Sequence, residues 1–314
     1  MLRYFKYRIP FKNVFRTSGV EYSHREGFIL AFKDEKGFEA YGEVAPLPGF
    51  SNETMKQVEE VLKVNKSHLE KSIKDGSGHQ FVKVLEQIHQ FPSLGFGLDS
   101  LLYDLEAKKA RKSLINYLFP DFEGPLRSNA VIAIKSKEKV LSETEDLINE
   151  GFDTIKIKVG NNFERDFEML RIIRDHFPDI YIRIDANQAW NIDEAIDNLN
   201  RMNKLQIQYC EQPVSKEDIT ALRAVTEAVD VTIAADEALR NISDVKRVSE
   251  NKAANTFILK PMMIGSFDNL FVTKEFANTH DIDVVCTTSL ETAVGRATIA
   301  ALAAGLGNQN LAHG

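Results

Sequence analysis

Cysteine is scarce in this 314-residue chain, which holds only Cys210 and Cys286. Two cysteines build neither a disulfide framework nor a zinc set, and they fit a reducing cytoplasm. Both fall in apolar runs and read as small core residues rather than nucleophiles. Positive charge is also in deficit, with 39 basic side chains against 46 acidic ones and a net charge of −7. Such a chain lacks the basic surface that phosphate binding requires, which argues against nucleic acid as a partner. No apolar run reaches the roughly 18 residues that span a bilayer. The start, MLRYFKYRIPF, breaks its apolar residues with charges and a proline, unlike a secretory signal. Low-complexity segments and Pro- or Ser-rich linkers are missing too, so two domains would pack together rather than hang on a tether. The expectation is an acidic cytoplasmic protein of about two domains, or one large barrel with an appendage.

The texture changes near residue 127. Before it, Leu2–Ile9, Gly27–Phe32 and Glu39–Val44 read as strands between Gly-rich turns. Residues 53–75 and 78–90 then carry apolar positions at helical spacing, and a longer helix is predicted over Asp99–Lys112. Strands followed by helices specify an α+β domain, here residues 1–127. After it, β-rich runs recur at Ala130–Ile134, Thr154–Val159, Tyr181–Asp185, Gln206–Cys210, Thr232–Ala235, Thr256–Leu259 and Asp283–Cys286. Helical stretches such as Arg165–His176, Asp193–Met202 and Lys216–Val229 lie between them. This alternation makes parallel βαβ units, and a long series favours a closed barrel over residues 128–314. An open doubly wound sheet is the alternative, but no Gly-rich phosphate loop follows any run. At about 25 residues per unit the segment holds roughly seven and a half units, with LAHG (Leu311–Gly314) as the first residues of an eighth strand.

Five ionisable residues close consecutive runs: Lys158 in KIKVG, Asp185 in RIDAN, Glu211 in CEQP, Asp236 in AADE and Lys260 in ILKP. They lie 27, 26, 25 and 24 residues apart, about the length of one βα unit, so each is expected at the same height on its own strand. Taken singly, a strand-end acid is more often a helix cap and a strand lysine a solvated face. Caps and solvated faces do not explain five such residues at near-equal spacing. Three carboxylates without histidine or cysteine make a hard oxygen site for Mg²⁺, with Mn²⁺ as a substitute of similar preference. A cation there offsets the charge that builds when a proton leaves carbon beside a carboxylate. Lys156 and Lys158 share a strand face. Two ammonium groups that close should lower a pKa, giving Lys158 a neutral form able to act as general base. Lys260, about four strands round, should approach from the other side.

With these residues in place, the chain resembles the enolase superfamily, in its muconate-lactonising subgroup. The resemblance rests on Lys156–Ile157–Lys158, on Asp185, Glu211 and Asp236 at successive strand ends, and on Lys260 after them. It implies a modified (β/α)7β barrel of the TIM type beside an N-terminal α+β capping domain whose loops close over substrate. GEVAPLPGFSNET (Gly42–Thr54) looks like the capping loop and Gly97–Lys109 like the domain-closing helix. Within the subgroup, TTSLETAVGRATIAALAAGL (Thr287–Leu306), RIDANQAW (Arg183–Trp190) and APLPGFS look most like the o-succinylbenzoate synthases of menaquinone biosynthesis. What this implies is a lyase reaction, the syn dehydration of a cyclohexadiene carboxylate. Lys158 would remove the α-proton and help the β-hydroxyl leave, Asp185, Glu211 and Asp236 would hold Mg²⁺, and Lys260 would contribute its charge. Asn187 and Glu237 are implied supports of the metal and lysines, and Ser289 and Glu291 contacts to substrate or to Lys260. The alternative with the same lysines and metal is racemisation of N-acylamino acids or epimerisation of dipeptides. Relatives that use dipeptides carry substrate-binding acids just beyond the LAHG position. The implied partner is a small carboxylate, with neither membrane nor nucleic acid.

Two further expectations come from this comparison. The helix after Asp104 reads EAKKARKSLINYL, where the family has a glycine ahead of the next packing leucine. VEYSHREG (Val20–Gly27) reads as a second capping loop bearing His24, and Arg16 and Tyr22 are loop candidates for the succinyl carboxylate.

Overall fold

A computed structural model describes residues 1–16, 21–133, 135–160 and 162–314. The N-terminal part begins with β1 (Leu2–Arg16), β2 (Glu21–Lys33) and β3 (Glu39–Val44), an antiparallel sheet in that order. Its helices are α1 (Met55–Asp75), α2 (Gly78–His89), α3 (Pro92–Lys109) and α4 (Leu114–Leu118). Thr54 starts α1 with a reciprocal capping box to Gln57. Leu30, Phe32, Val44, Val58, Leu62, Leu98 and Leu101 fill the core between sheet and helices.

Two expectations change here. The segment read as a capping loop, Val20–Gly27, is strand from Glu21 onward, so Tyr22 and His24 sit on β2. The segment reads as loop because its buried positions are taken by Tyr22 and Arg25, polar-tipped residues whose burial the sequence pattern does not show. Val20 and the side chain of Arg16 lie outside the described residues. The long helix starts at Pro92 rather than Asp99, because Gly95 and Gly97 disguise its first turns. Gly97 serves a close approach: a Cβ on Gly42 would stand 1.9 Å from the Gly97 carbonyl oxygen. Only glycines let α3 press its backbone against β3.

The second part alternates strand and helix: β4 (Ala130–Ile132), α5 (Lys137–Asn149), β5 (Thr154–Lys158), α6 (Phe163–His176), β6 (Tyr181–Asp185), α7 (Ile192–Met202) and β7 (Ile207–Glu211). It continues with α8 (Ile219–Ala228), β8 (Ile233–Ala235), α9 (Ile242–Glu250), β9 (Thr256–Leu259), α10 (Pro261–Ile264), α11 (Phe267–Thr279), β10 (Asp283–Cys286) and α12 (Ala293–Leu306). Among the described residues these strands form one parallel sheet running from β4 to β10 in sequence order. The LAHG segment closes it. His313 donates its N–H to the Arg127 carbonyl and accepts from Asn129 N–H, both at 2.8 Å, while Gly314 N–H reaches the Cys286 carbonyl at 2.9 Å. The barrel interior is filled by Tyr209, Ala234, Ile258 and Val285, with Leu311 against them. Beneath the site lies Arg183, wholly buried, bonded to Gln208, Asn129 and the Ala312 carbonyl and stacked on Tyr209. Cys210 and Cys286 are buried free thiols. No helix among the described residues is long and apolar enough to cross a membrane.

Buried polar contacts join the two parts. Glu43 of β3 accepts from Tyr7 Oη at 2.5 Å and from Thr292 N, Thr292 Oγ1 and Gly295 N at the start of α12. His79 of α2 bonds Asp99 of α3, whose other oxygen accepts from Phe267 N at the start of α11. Tyr103 stacks on Phe267 with centroids 4.8 Å apart.

Candidate active site

Strand register decides which side chains meet. Lys158 pairs with Asp185, and Asp185 with Glu211, so these three stand at one height. Glu211 then faces Ala234, and Ala235 faces Phe257, so Asp236 and Lys260 each lie two residues further along. The expectation of equal height therefore holds for three of the five. The rest climb with the stagger that closing a barrel imposes. Steps of two keep every one of these side chains on the inward face.

Together they line a cavity of about 270 Å³ whose wall includes Lys156, Lys158, Asp185, Glu211, Asp236 and Lys260. The three carboxylates are nearly inaccessible, at 2 %, 2 % and 5 % exposure in sequence order. Lys156 Nζ lies 2.9 Å from Asp185 and 2.7 Å from Glu211. Lys158 Nζ is 3.5 Å from Asp185 and donates to Asn187 Oδ1 at 2.6 Å. Lys260 Nζ contacts Asp236. Burial alone would push Lys156 down, but Glu211 and Asp185 outweigh it and hold its pKa well above the usual lysine range. Lys156 therefore stands paired with two carboxylates rather than as a bare ammonium beside Lys158. Sequence spacing cannot reveal such pairing across strands.

The acids do not share their environment equally. Burial and the neighbouring Asp185 push the Glu211 carboxyl up, while Lys156 and Lys158 overcome burial at Asp185 and hold it down. Among the described residues, no group of three or more His, Cys, Asp or Glu stands close enough to enclose a metal ion as placed. The donor chemistry nevertheless fits a hard divalent cation. Three acids project from adjacent strands into one cavity, and their mutual repulsion adds to burial in raising Glu211. The lysines meet that repulsion here, and a cation bound among the oxygens would meet it more fully.

The supporting residues divide. Asn187, at φ +43° after β6, donates Nδ2–H to Glu237 Oε1 at 3.1 Å, which turns its carbonyl oxygen toward Lys158. Burial and Asp236 lift Glu237 to about 6. Ser289 lines the cavity with a buried hydroxyl that has no partner among the described residues. Glu291 is not on the cavity wall; it accepts from Ser289 N–H and is lifted to about 7 by burial. Through that bond it supports the loop after β10. Sequence reading missed Gln212, whose buried amide oxygen accepts from Asp236 N and Ala238 N at 3.1 Å and fixes the turn after β8. It also missed wall residues Tyr209, Asn129, Thr287 and Thr288. Tyr209 was findable by parity, two residues before Glu211. Leu47 and Phe50 reach the cavity from the capping loop, Tyr22 from β2 and Leu290 from the barrel. Tyr22 Oη donates to the Pro48 carbonyl at 2.6 Å, and Phe50 lies 5.2 Å from Lys260 Nζ.

Comparison with known proteins agrees with this architecture. Residues 139–313 match the family described as Enolase C-terminal domain-like, and residues 1–105 match the MenC N-terminal domain. A D-Ala-D/L-Ala epimerase of Cytophaga hutchinsonii is 28 % identical over 264 residues, 82 % of this chain and 70 % of that one. An o-succinylbenzoate synthase of Bacillus subtilis is 26 % identical over 308 residues, 94 % of this chain and 78 % of that one. The crystal structure of an Enterococcus faecalis dipeptide epimerase with Mg and L-Leu-L-Tyr superposes with a TM-score of 0.88 at 25 % identity, covering 99 % of this chain and 88 % of that one. The chain is a member of the enolase superfamily, built on that family's barrel with an N-terminal cap.

Proposed function

We propose that this enzyme dehydrates 2-succinyl-6-hydroxy-2,4-cyclohexadiene-1-carboxylate to o-succinylbenzoate in menaquinone biosynthesis. In this reading residues 1–127 cap the site and 128–314 carry the chemistry. One observation carries the choice of substrate, the character of the cavity wall around the central cluster of Asp185, Glu211 and Asp236. The remaining wall is largely apolar, with Leu47, Phe50, Val131, Ile258, Val285 and Leu290, and suits a carbocyclic ring. The MenC match over residues 1–105 supports the same reading.

In the reaction the amine form of Lys158 takes the proton α to the ring carboxylate. Its N–H bond to Asn187 fixes the direction of approach. The electron pair left on carbon moves toward the carboxylate and then expels the β-hydroxyl. The ammonium of Lys158 returns the proton to that oxygen, so water leaves and the ring becomes aromatic. One lysine serving both steps makes the elimination syn. Lys260, four strands away and paired with Asp236, faces the substrate from the opposite wall as a fixed positive charge. Mg²⁺ held by Asp185, Glu211 and Asp236 would supply positive charge to the substrate carboxylate, with Mn²⁺ as a substitute.

The Cytophaga hutchinsonii epimerase supports a second reading, in which Lys158 and Lys260 exchange protons on opposite faces of a dipeptide or N-acylamino acid. Lys260→Arg separates the two, because charge survives while proton transfer is lost. Dehydration within about tenfold of wild type is expected. Loss of dehydration together with α-deuterium exchange into dipeptides by the wild type would replace the first reading with the second.

A further inference from the structure

We propose that Arg25 is a positioning residue that sets the shape of the substrate cavity by joining the capping loop to the barrel loop after β10. Arg25 lies on β2 and is only 4 % exposed. Every hydrogen bond of its guanidinium goes to a backbone carbonyl. Nη1 donates to Glu26 and Pro46, each at 2.9 Å, Nη2 donates to Ala45, and Nε donates to Leu290 at 3.2 Å. Ala45 and Pro46 begin the loop that carries Leu47 and Phe50 into the cavity, and Leu290 is itself a wall residue. One planar fork therefore fixes both loops that the cap and the barrel present to substrate.

Leu290 shows why a pin is needed. Its backbone sits at φ +65°, a left-handed conformation that a branched side chain adopts only when its surroundings impose it. The carbonyl of that residue is the one Arg25 holds. Next to it, Ser289 N–H is held by Glu291. Leu290 thereby packs with Tyr22, Leu47, Phe50 and Met263 in an apolar cluster that roofs the cavity. The charge of Arg25 also acts on Glu291, so charge compensation is the competing explanation of its burial. Lysine keeps the charge but cannot reproduce a planar fork with several fixed donors.

The proposal rests on the reading of this cavity as the substrate site, but not on which substrate fills it. The test compares wild type with Arg25→Met and Arg25→Lys, measuring amide hydrogen exchange on ligand-free protein and steady-state kinetics with the cyclohexadiene carboxylate and Mg²⁺. The expected result is exchange at least tenfold faster in residues 45–50 and 288–292 for both variants. KM should rise tenfold or more, with kcat within threefold. Arg25→Lys matching wild type in exchange and KM would overturn the proposal in favour of charge compensation. Faster exchange in one segment alone, or lower kcat at unchanged KM, would overturn it as well. If Arg25→Met does not fold, Arg25→Lys decides by the same criteria. Absence of wild-type turnover would count against the dehydratase reading, while the exchange measurement would still judge Arg25.

Discussion

Replacing Glu43 by glutamine should weaken the docking of cap on barrel more than any other change of a single atom in the interface. The carboxylate is fully buried, and its two oxygens accept from the Tyr7 hydroxyl, from Thr292 through both N and Oγ1, and from Gly295 N. Glutamine keeps one acceptor and places an NH₂ against the other donors. Bonds to a charged acceptor contribute about 1.5–3 kcal/mol each, and a group stranded in the interior costs its desolvation, so the isosteric change should cost about 3–5 kcal/mol. At roughly 2.1 cal/mol/K per residue a chain of this length loses about 1.5 °C per kcal/mol, hence about 5–8 °C in Tm. Thermal unfolding followed by circular dichroism reads this directly. Tyr7→Phe removes one donor and leaves the carboxylate otherwise served, so it should cost only about 1–2 kcal/mol. A Glu43→Gln loss below about 1 kcal/mol, or equal losses for the two variants, would refute the reasoning.

Further expectations concern the base and two titrating groups. Lys158→Ala should lower kcat at least about 10³-fold while leaving Tm within a few degrees, checked by single-turnover assay beside a melt. Burial pushes His79 down, but its bonds to Asp99 and Glu106 prevail and raise it from 6.5 to about 9. Its stabilising contribution is therefore complete below about 6.5 and lost as pH rises through about 9, and a His79→Gln variant should lack that decline across a pH series of melts. Glu291 is raised by burial from 4.5 to about 7. The folded state then holds a proton the unfolded chain releases, so stability falls between those values and levels off above them. Glu291→Gln should flatten that slope and melt higher than wild type at pH 8.

The five-residue series was legible because barrel geometry repeats in sequence: one residue at the end of each strand, one unit apart. LAHG was expected as the first residues of an eighth strand, and it forms a single parallel bridge to Ser128 with Gly314 N–H on the Cys286 carbonyl. What sequence could not supply was contact between distant positions. Lys156 belongs electrostatically to Glu211, 55 residues on, and not to Lys158 beside it. Glu43, Arg25 and Gln212 looked like ordinary polar residues because their partners are backbone groups or distant loops. The start of β2 escaped the period-2 rule because its buried positions hold Tyr22 and Arg25 rather than plain apolar residues, and α3 escaped because its glycines serve contact with β3 rather than helix formation.

The measurement that tests the central claim most directly is a comparison of kcat/KM for the cyclohexadiene carboxylate and for a dipeptide panel on the Mg²⁺-loaded enzyme. Dehydration is followed by loss of diene absorbance, epimerisation by α-deuterium exchange. The account predicts that the diene carboxylate is preferred by at least about 100-fold, because the apolar side of the wall, Leu47, Phe50, Ile258, Val285 and Leu290, receives a carbocyclic ring better than a polar dipeptide backbone. A dipeptide with the higher kcat/KM would contradict it.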